Sequence, residues 1–212
     1  MSRIILYDNR ESTNANKVRF LLAELGLDHE IREMPLRDKP DEYFEIHPFG
    51  LVPALIDGDL VITESNVALR YLAEREGRCD LRGATAAHRA RIDGLLDTLS
   101  LEFRPALWGA EEPHVYGVEL PPDECVARHS ALVAAAVAYD RLLDAGGPYA
   151  LGAFTIADCA IAGRCFYLEQ LHLEPDVAPR LRRVIAAAHS RRSWAGVMGP
   201  ASIQMRSDHV DG

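Results

Sequence analysis

Residues 3 to 33 read RIILYDNRESTNANKVRFLLAELGLDHEIRE, and the fold is decided there. Arg3 to Tyr7 is a β-rich apolar run of strand length, and Asp8 to Asn14 is then dense in turn and cap formers. From Ala15 onward Val18, Leu21, Leu22 and Leu25 recur at i, i+3, i+4 and i+7, which puts them on one face of a helix. Gly26 stands where a left-handed C-cap closes such a helix. His29 to Glu33, with Ile31 its one strong apolar residue, reads as a second strand lying parallel to the first.

Further along, Met34 to Phe49 mixes two prolines, charges and the apolar Tyr43, Phe44 and Ile46, which predicts a loop with one short helical turn. Pro53 to Asp57 and Leu60 to Thr63 flank Gly58-Asp59, the signature of a β-hairpin. Glu64-Ser65 then opens a helix whose Val67, Ala68, Tyr71 and Leu72 share a face and which ends near Gly77. This order describes a small mixed sheet with helices packed on it.

After residue 84 the character changes. Helical periodicity is strong over 86 to 108, 123 to 145, 155 to 171 and 178 to 189, and no convincing strand appears. Pro113, Pro121-Pro122, Gly146-Gly147-Pro148 and Pro175 are predicted to lie in the connections, with Arg78 to Gly83 as the linker. Two domains are expected, an α/β unit over residues 1–78 and an all-α helix bundle over 84–205.

A chain of 212 residues buries enough surface to fold without disulfides or a metal. Its net charge of -9 opposes a nucleic-acid backbone and an anionic membrane, and the arginine runs at 82, 89, 91 and at 180, 182, 183 read as solvated helix faces. No stretch approaches the ~20 apolar residues of a membrane span, and Met1-Ser2-Arg3 leads directly into the first strand with no secretory pattern, so cytoplasmic residence is expected. Cys79, Cys125, Cys159 and Cys165 are irregularly spaced and read as reduced, mostly buried thiols. The histidines show no ligand spacing, so no metal is assigned.

Three places carry the residue types of a binding site. Ser12-Thr13-Asn14 lies at a helix mouth, where unpaired N–H groups and the helix dipole favour an anion, and where a plain helix cap is the ordinary use of the same residues. Val52-Pro53 opens a strand; a trans turn is the ordinary reading, whereas a cis bond leaves the Val52 backbone available to an extended peptide. Glu64-Ser65 reads as a cap, or as a grip on a ligand's carboxylate and ammonium groups.

Together these features resemble the glutathione transferase family, in its serine-type, bacterial theta-like form. Leu6 to Leu27 is similar to its opening strand, serine turn and first helix; His47 to Leu55 to its proline loop; Glu64 to Leu72 to its γ-glutamyl-binding helix start. Tyr149 to Ala162 resembles the family's buried capping segment, with Thr155 and Asp158 as a structural capping box. The likeness covers roughly residues 4 to 190.

The resemblance implies a thioredoxin-like first domain that binds glutathione as cosubstrate in a cytoplasmic detoxification enzyme. Ser12 would donate to the sulfur, assisted by Asn14; Val52, beside a cis Pro53, would pair with the cysteinyl backbone; Glu64 and Ser65 would meet the γ-glutamyl end. Phe103, Leu107 and Trp108 are candidates for the wall of a small hydrophobic electrophile, though core packing explains them equally. Leu51 stands where members often carry a basic residue; Arg37, Lys39 or His47 could hold the glycyl carboxylate instead, though solvated loop charges are the commoner reading of these residues. Phe49 matches an aromatic key that inserts into a partner subunit, so a homodimer is expected, with packing on its own domain as the alternative. A non-catalytic binding or regulatory protein and a glutathione-dependent isomerase or peroxidase are the competing functions.

Overall fold

The computed structural model describes residues 3–197. Strand β1 (Ile4–Asp8) leads into helix α1 (Thr13–Leu25), which returns the chain to β2 (His29–Glu33), parallel to β1 with Ile4 opposite His29. Ser12 caps the start of α1, and Gly26, in the left-handed conformation, closes it. A single 3-10 turn, Asp41–Glu45, precedes the hairpin of β3 (Ala54–Asp57) and β4 (Leu60–Ile62), both antiparallel to their neighbours. The sheet order is β2-β1-β3-β4. Helix α2 (Ser65–Arg75) completes the α/β unit.

Strand alternation gives the sheet two faces. Ile4 and Leu6 join a large core shared with the helical half, whereas Tyr7 packs with Tyr43, Val52 and Ala54 beneath the proline loop. The face of α2 that buries itself is Ala68, Leu69, Leu72 and Ala73; Val67, expected on that face, is exposed.

The linker expected at Arg78 to Gly83 contains a helical turn, α3 (Cys79–Arg82). The helix expected over 86 to 108 is a longer column: α4 (Ala86–Thr98), a wide π-type turn over Leu99–Phe103, and α5 (Arg104–Val115). Pro113, predicted to break it, lies inside α5. The Gly109 carbonyl, which a proline four residues on cannot satisfy, instead accepts from the Arg128 guanidinium at 3.2 Å. Helix α6 (Pro122–Asp140) supplies that arginine. The segment expected to be one helix over 155 to 171 is α7 (Ile156–Arg164) followed by a 3-10 turn, Leu168–Leu171; α8 (Pro179–His189) and α9 (Arg192–Val197) finish the bundle. The expected domain end at 205 falls outside the described residues.

Asp158 is fully buried at the start of α7, where it accepts from the Ala150 and Thr155 backbone N–H groups at 2.8 Å each, the capping box read from the sequence. The arginine runs are spent locally: Arg82 on Glu74 and Asp93, Arg182 on Glu169. Cys159 and Cys165 are buried, but Cys79 is exposed.

Helix α7 crosses α1 so closely that a methyl group added at Gly163 would fall 2.6 Å from the Lys17 backbone nitrogen. Gly94, within α4, has nothing within 4 Å of the same position. Gly163→Ala is therefore expected to destabilise by about 1–3 kcal/mol through overpacking, while Gly94→Ala stabilises by about 0.4–1 kcal/mol by restricting the unfolded chain. Thermal unfolding of the two variants checks this: midpoints that shift in the same direction would refute the close crossing.

Candidate functional site

A cleft of about 550 Å³ opens at the mouth of α1, between the α/β unit and the α5 side of the bundle. One wall is Ser12, Thr13 and Asn14; a second is Leu36, Arg37, Lys39, Leu51 and Val52; the third is Arg104, Trp108 and Tyr116, with Val118 beyond them. The Ser12 hydroxyl oxygen accepts from the Ala15 N–H at 3.2 Å. Accepting at the oxygen leaves the O–H proton available, and no described residue takes it, so the cap and the donor are one group rather than alternatives. Tyr7, the phenol nearest in sequence, faces the other side of the sheet and accepts from Arg32 at 2.7 Å.

Beneath the Ser12 turn sits a buried ion pair. Arg164 donates to both carboxylate oxygens of Glu111, at 2.8 and 3.0 Å, and to the Thr13 hydroxyl at 3.2 Å. Nothing in the sequence marked this pair, because the partners lie 53 residues apart on α5 and α7.

The Val52-Pro53 peptide bond is cis, unlike the trans turn that local preference suggests and as the family likeness implies. Val52 lines the cleft, and Pro53 is buried behind it. Leu51 is 57% exposed on the cleft wall, with Arg37 and Lys39 on the same wall. His47 is buried against Tyr43 and is not on that wall.

Of the three residues proposed to wall the electrophile, Trp108 alone faces the cleft, 42% exposed. Phe103, at 1%, stacks on Tyr139 with ring centroids 5.3 Å apart, and Leu107 is buried in the same core. The correction is geometric: Leu99, Phe103, Leu107 and Ala110 form the buried stripe, and one residue further on turns the side chain by about 100° toward the cleft. Arg104 and Tyr116 join Trp108 on that wall, and the Tyr116 ring packs on Trp108 with centroids 5.2 Å apart.

Glu64 and Ser65 stand apart from the cleft lining. Glu64 is exposed, occupies the N-cap of α2 and makes no side-chain cap bond, so the first N–H groups of that helix stay open to an anion. Ser65 is tied inward: Lys17, fully buried on α1, places its ammonium 3.4 Å from the Ser65 hydroxyl and 3.3 Å from the Asn66 side-chain carbonyl. Asn66 in turn donates to the Leu96 carbonyl at 2.9 Å and to Ser100 at 3.0 Å. Burial, and then the like charge of Arg164, push the Lys17 amine down to about 7. Buried thiols Cys159 and Cys165 are pushed up by desolvation and lie off the cleft. Among the described residues no cluster of metal-ligating side chains occurs, and no helix is long and apolar enough to cross a membrane.

Known proteins share this fold. The family described as glutathione S-transferase, N-terminal domain, matches residues 2–74. Glutathione S-transferase GstB of Escherichia coli (strain K12) is 33% identical over 198 residues, covering 85% of this chain and 90% of that protein. A stringent starvation protein A homolog from Haemophilus influenzae is 27% identical over 175 residues, covering 82% and 78%. Among solved structures, a theta class glutathione S-transferase from the citrus canker pathogen Xanthomonas axonopodis pv. citri, with glutathione bound, superposes with a TM-score of 0.83 at 25% identity, covering 94% of this chain and 99% of that one. The chain belongs to the glutathione S-transferase family.

The depressed Lys17 value has a consequence for stability. Between about pH 7 and the ordinary lysine range the unfolded chain holds a proton that the folded chain releases, so stability rises with pH. Over pH 7 to 9, wild type is expected to gain about 1.4 kcal/mol per pH unit relative to Lys17→Met. Urea unfolding of both proteins measures this; a pH-independent gap would mean that the amine is not perturbed.

Proposed function

We propose that the cleft binds glutathione in an extended form and that Ser12 keeps its sulfur ionised for attack on a small hydrophobic electrophile. The observation that carries this reading is the Ser12 hydroxyl at the mouth of α1, its oxygen spent on Ala15 and its proton free to point into the cleft. Asn14 assists at the sulfur, and the Val52 backbone pairs with the cysteinyl residue. Arg37 and Lys39 take the glycyl carboxylate in place of the basic residue that Leu51 lacks. The open start of α2, with Glu64 and Ser65, takes the γ-glutamyl end.

The energetics suffice. Lowering a thiol from about 8.5 by two units needs about 2.7 kcal/mol. A hydrogen bond to a charged acceptor supplies about 1.5–3 kcal/mol, and the helix end about 0.3–1 kcal/mol. Ser12 acts as a donor and not as a base, because no imidazole or carboxylate is hydrogen-bonded to it among the described residues. Conjugation, isomerisation and peroxide reduction all begin from the same thiolate. The reduced thiols suit a cytoplasmic setting.

A second reading is a glutathione-binding protein without turnover, favoured by the likeness to a stringent starvation protein A homolog over four fifths of the chain. Retention on immobilised glutathione with conversion of 1-chloro-2,4-dinitrobenzene supports the enzyme; retention without conversion of any electrophile supports the binding protein. In the enzyme, Ser12→Ala is expected to raise the kinetic pKa of the bound thiol by one to two units, roughly, and to cut turnover at neutral pH about tenfold or more, with glutathione affinity changed far less. An unaltered pH-rate profile would remove Ser12 from this role.

Phe49 is 84% exposed beside a loop pinned by the Tyr43 hydroxyl on the Leu51 carbonyl at 2.7 Å. It does not pack on its own domain among the described residues, and we propose that it inserts into a second copy of the chain. Phe49→Ser is expected to shift sedimentation from dimer toward monomer at micromolar protein; a wild type that sediments as a monomer would dismiss the dimer.

A further inference from the structure

The charged groups of the cleft are unevenly satisfied. Arg164 is neutralised by Glu111. Glu112, also on the wall, is spent on Arg128. Lys39 donates to the Leu36 carbonyl at 2.8 Å. Arg104, the first residue of α5, lines the cleft with an exposed guanidinium that has no hydrogen-bond or ion-pair partner among the described residues. Its surroundings do not suit a lone cation. Partial desolvation, and then the like charge of Arg164, both disfavour its charged form, with Glu111 and then Glu64 opposing.

Four residues on, and therefore on the same face of α5, Trp108 presents its ring to the cleft, with Tyr116 packed beside it. The Tyr116 phenol is pushed up by burial and by Tyr167, so it stays protonated. The α5 wall of the cleft thus pairs an aromatic surface with one unclaimed planar cation. Arg37 and Lys39 stand on the Leu51 side, where the glycyl carboxylate of glutathione is placed by the reading above, and so leave Arg104 unused by that end of the ligand.

We propose, resting on the transferase reading, that the second substrate is a flat conjugated electrophile carrying a carboxylate, which Arg104 binds while Trp108 and Tyr116 cover the ring. The guanidinium fork matches a carboxylate in a bidentate way, and the indole face accepts a planar ring. For an aryl chloride the step is a substitution. The thiolate sulfur forms a bond to the ring carbon, chloride leaves with the bonding pair, and the thiol proton has already passed to solvent.

The test uses two probes with the same ring, 4-chloro-3,5-dinitrobenzoate and its methyl ester. Arg104→Leu is expected to lower the acid-to-ester ratio of kcat/KM about tenfold or more, with Arg104→Lys falling between the two, since a point charge replaces a fork. In wild type, 3,5-dinitrobenzoate is expected to inhibit more tightly than the uncharged 3,5-dinitrobenzamide, a comparison that needs no variant. An unchanged ratio, or equal inhibition by acid and amide, overturns the carboxylate subsite. So does a parallel loss on both probes with a raised KM for glutathione, which would assign Arg104 to the tripeptide. A wild type that converts 1-chloro-2,4-dinitrobenzene but neither probe, or the ester alone, sinks only the inference; one that converts none of the three sinks the transferase reading and this inference with it.

Discussion

The site depends on how closely α7 is allowed to approach α1. Gly163 lets the two backbones touch, and the next residue, Arg164, then reaches Glu111 on α5 and the Thr13 hydroxyl beside Ser12. A buried ion pair contributes little net stability, since desolvating two charges offsets most of their attraction. Its effect is positional. The pair is satisfied only when α1, α5 and α7 meet in one register, and that register aims the Ser12 hydroxyl into the cleft. Lys17 does the same on the other side of α1, tying the start of α2 to the α4 column through Asn66. A single helix end thus presents the Ser12 hydroxyl, and two buried basic side chains, Arg164 and Lys17, fix it to α2, α4, α5 and α7.

Much of the architecture was legible because it is local. The spacing of Val18, Leu21, Leu22 and Leu25 names a helix face whatever surrounds it, and Gly26 and the Thr155–Asp158 box punctuate helices by their own hydrogen bonds. The cleft was legible in part. Ser12, Asn14 and Val52 converge as expected, because each sits where a strand meets a turn or a helix. What failed was whatever depends on rotation or distance. Phe103 and Trp108 differ by five positions in a helix that contains a π-type turn, and periodicity alone does not say which stripe meets the core. The isomer of the Val52-Pro53 bond is not written in the two residues that share it. The pairings of Arg164 with Glu111 and of Lys17 with Ser65 and Asn66 join residues about fifty apart, beyond any spacing rule.

If the cleft holds glutathione as proposed, an acidic protein binds an anionic ligand. With a net charge of -9 the surface as a whole repels glutathione, whose thiolate form carries two negative charges in excess. Within the cleft the balance is reversed: Arg37, Lys39 and Arg104 face Glu11, since Arg164 is neutralised by Glu111 and Glu112 by Arg128. Low-dielectric walls strengthen such a local excess, whereas the acids elsewhere are screened by salt within about 8–10 Å. On that reading the acidic surface weakens adventitious binding of anions without reaching the sulfur, and the discrimination rests on Arg37 and Arg104, which have no ion-pair partner among the described residues.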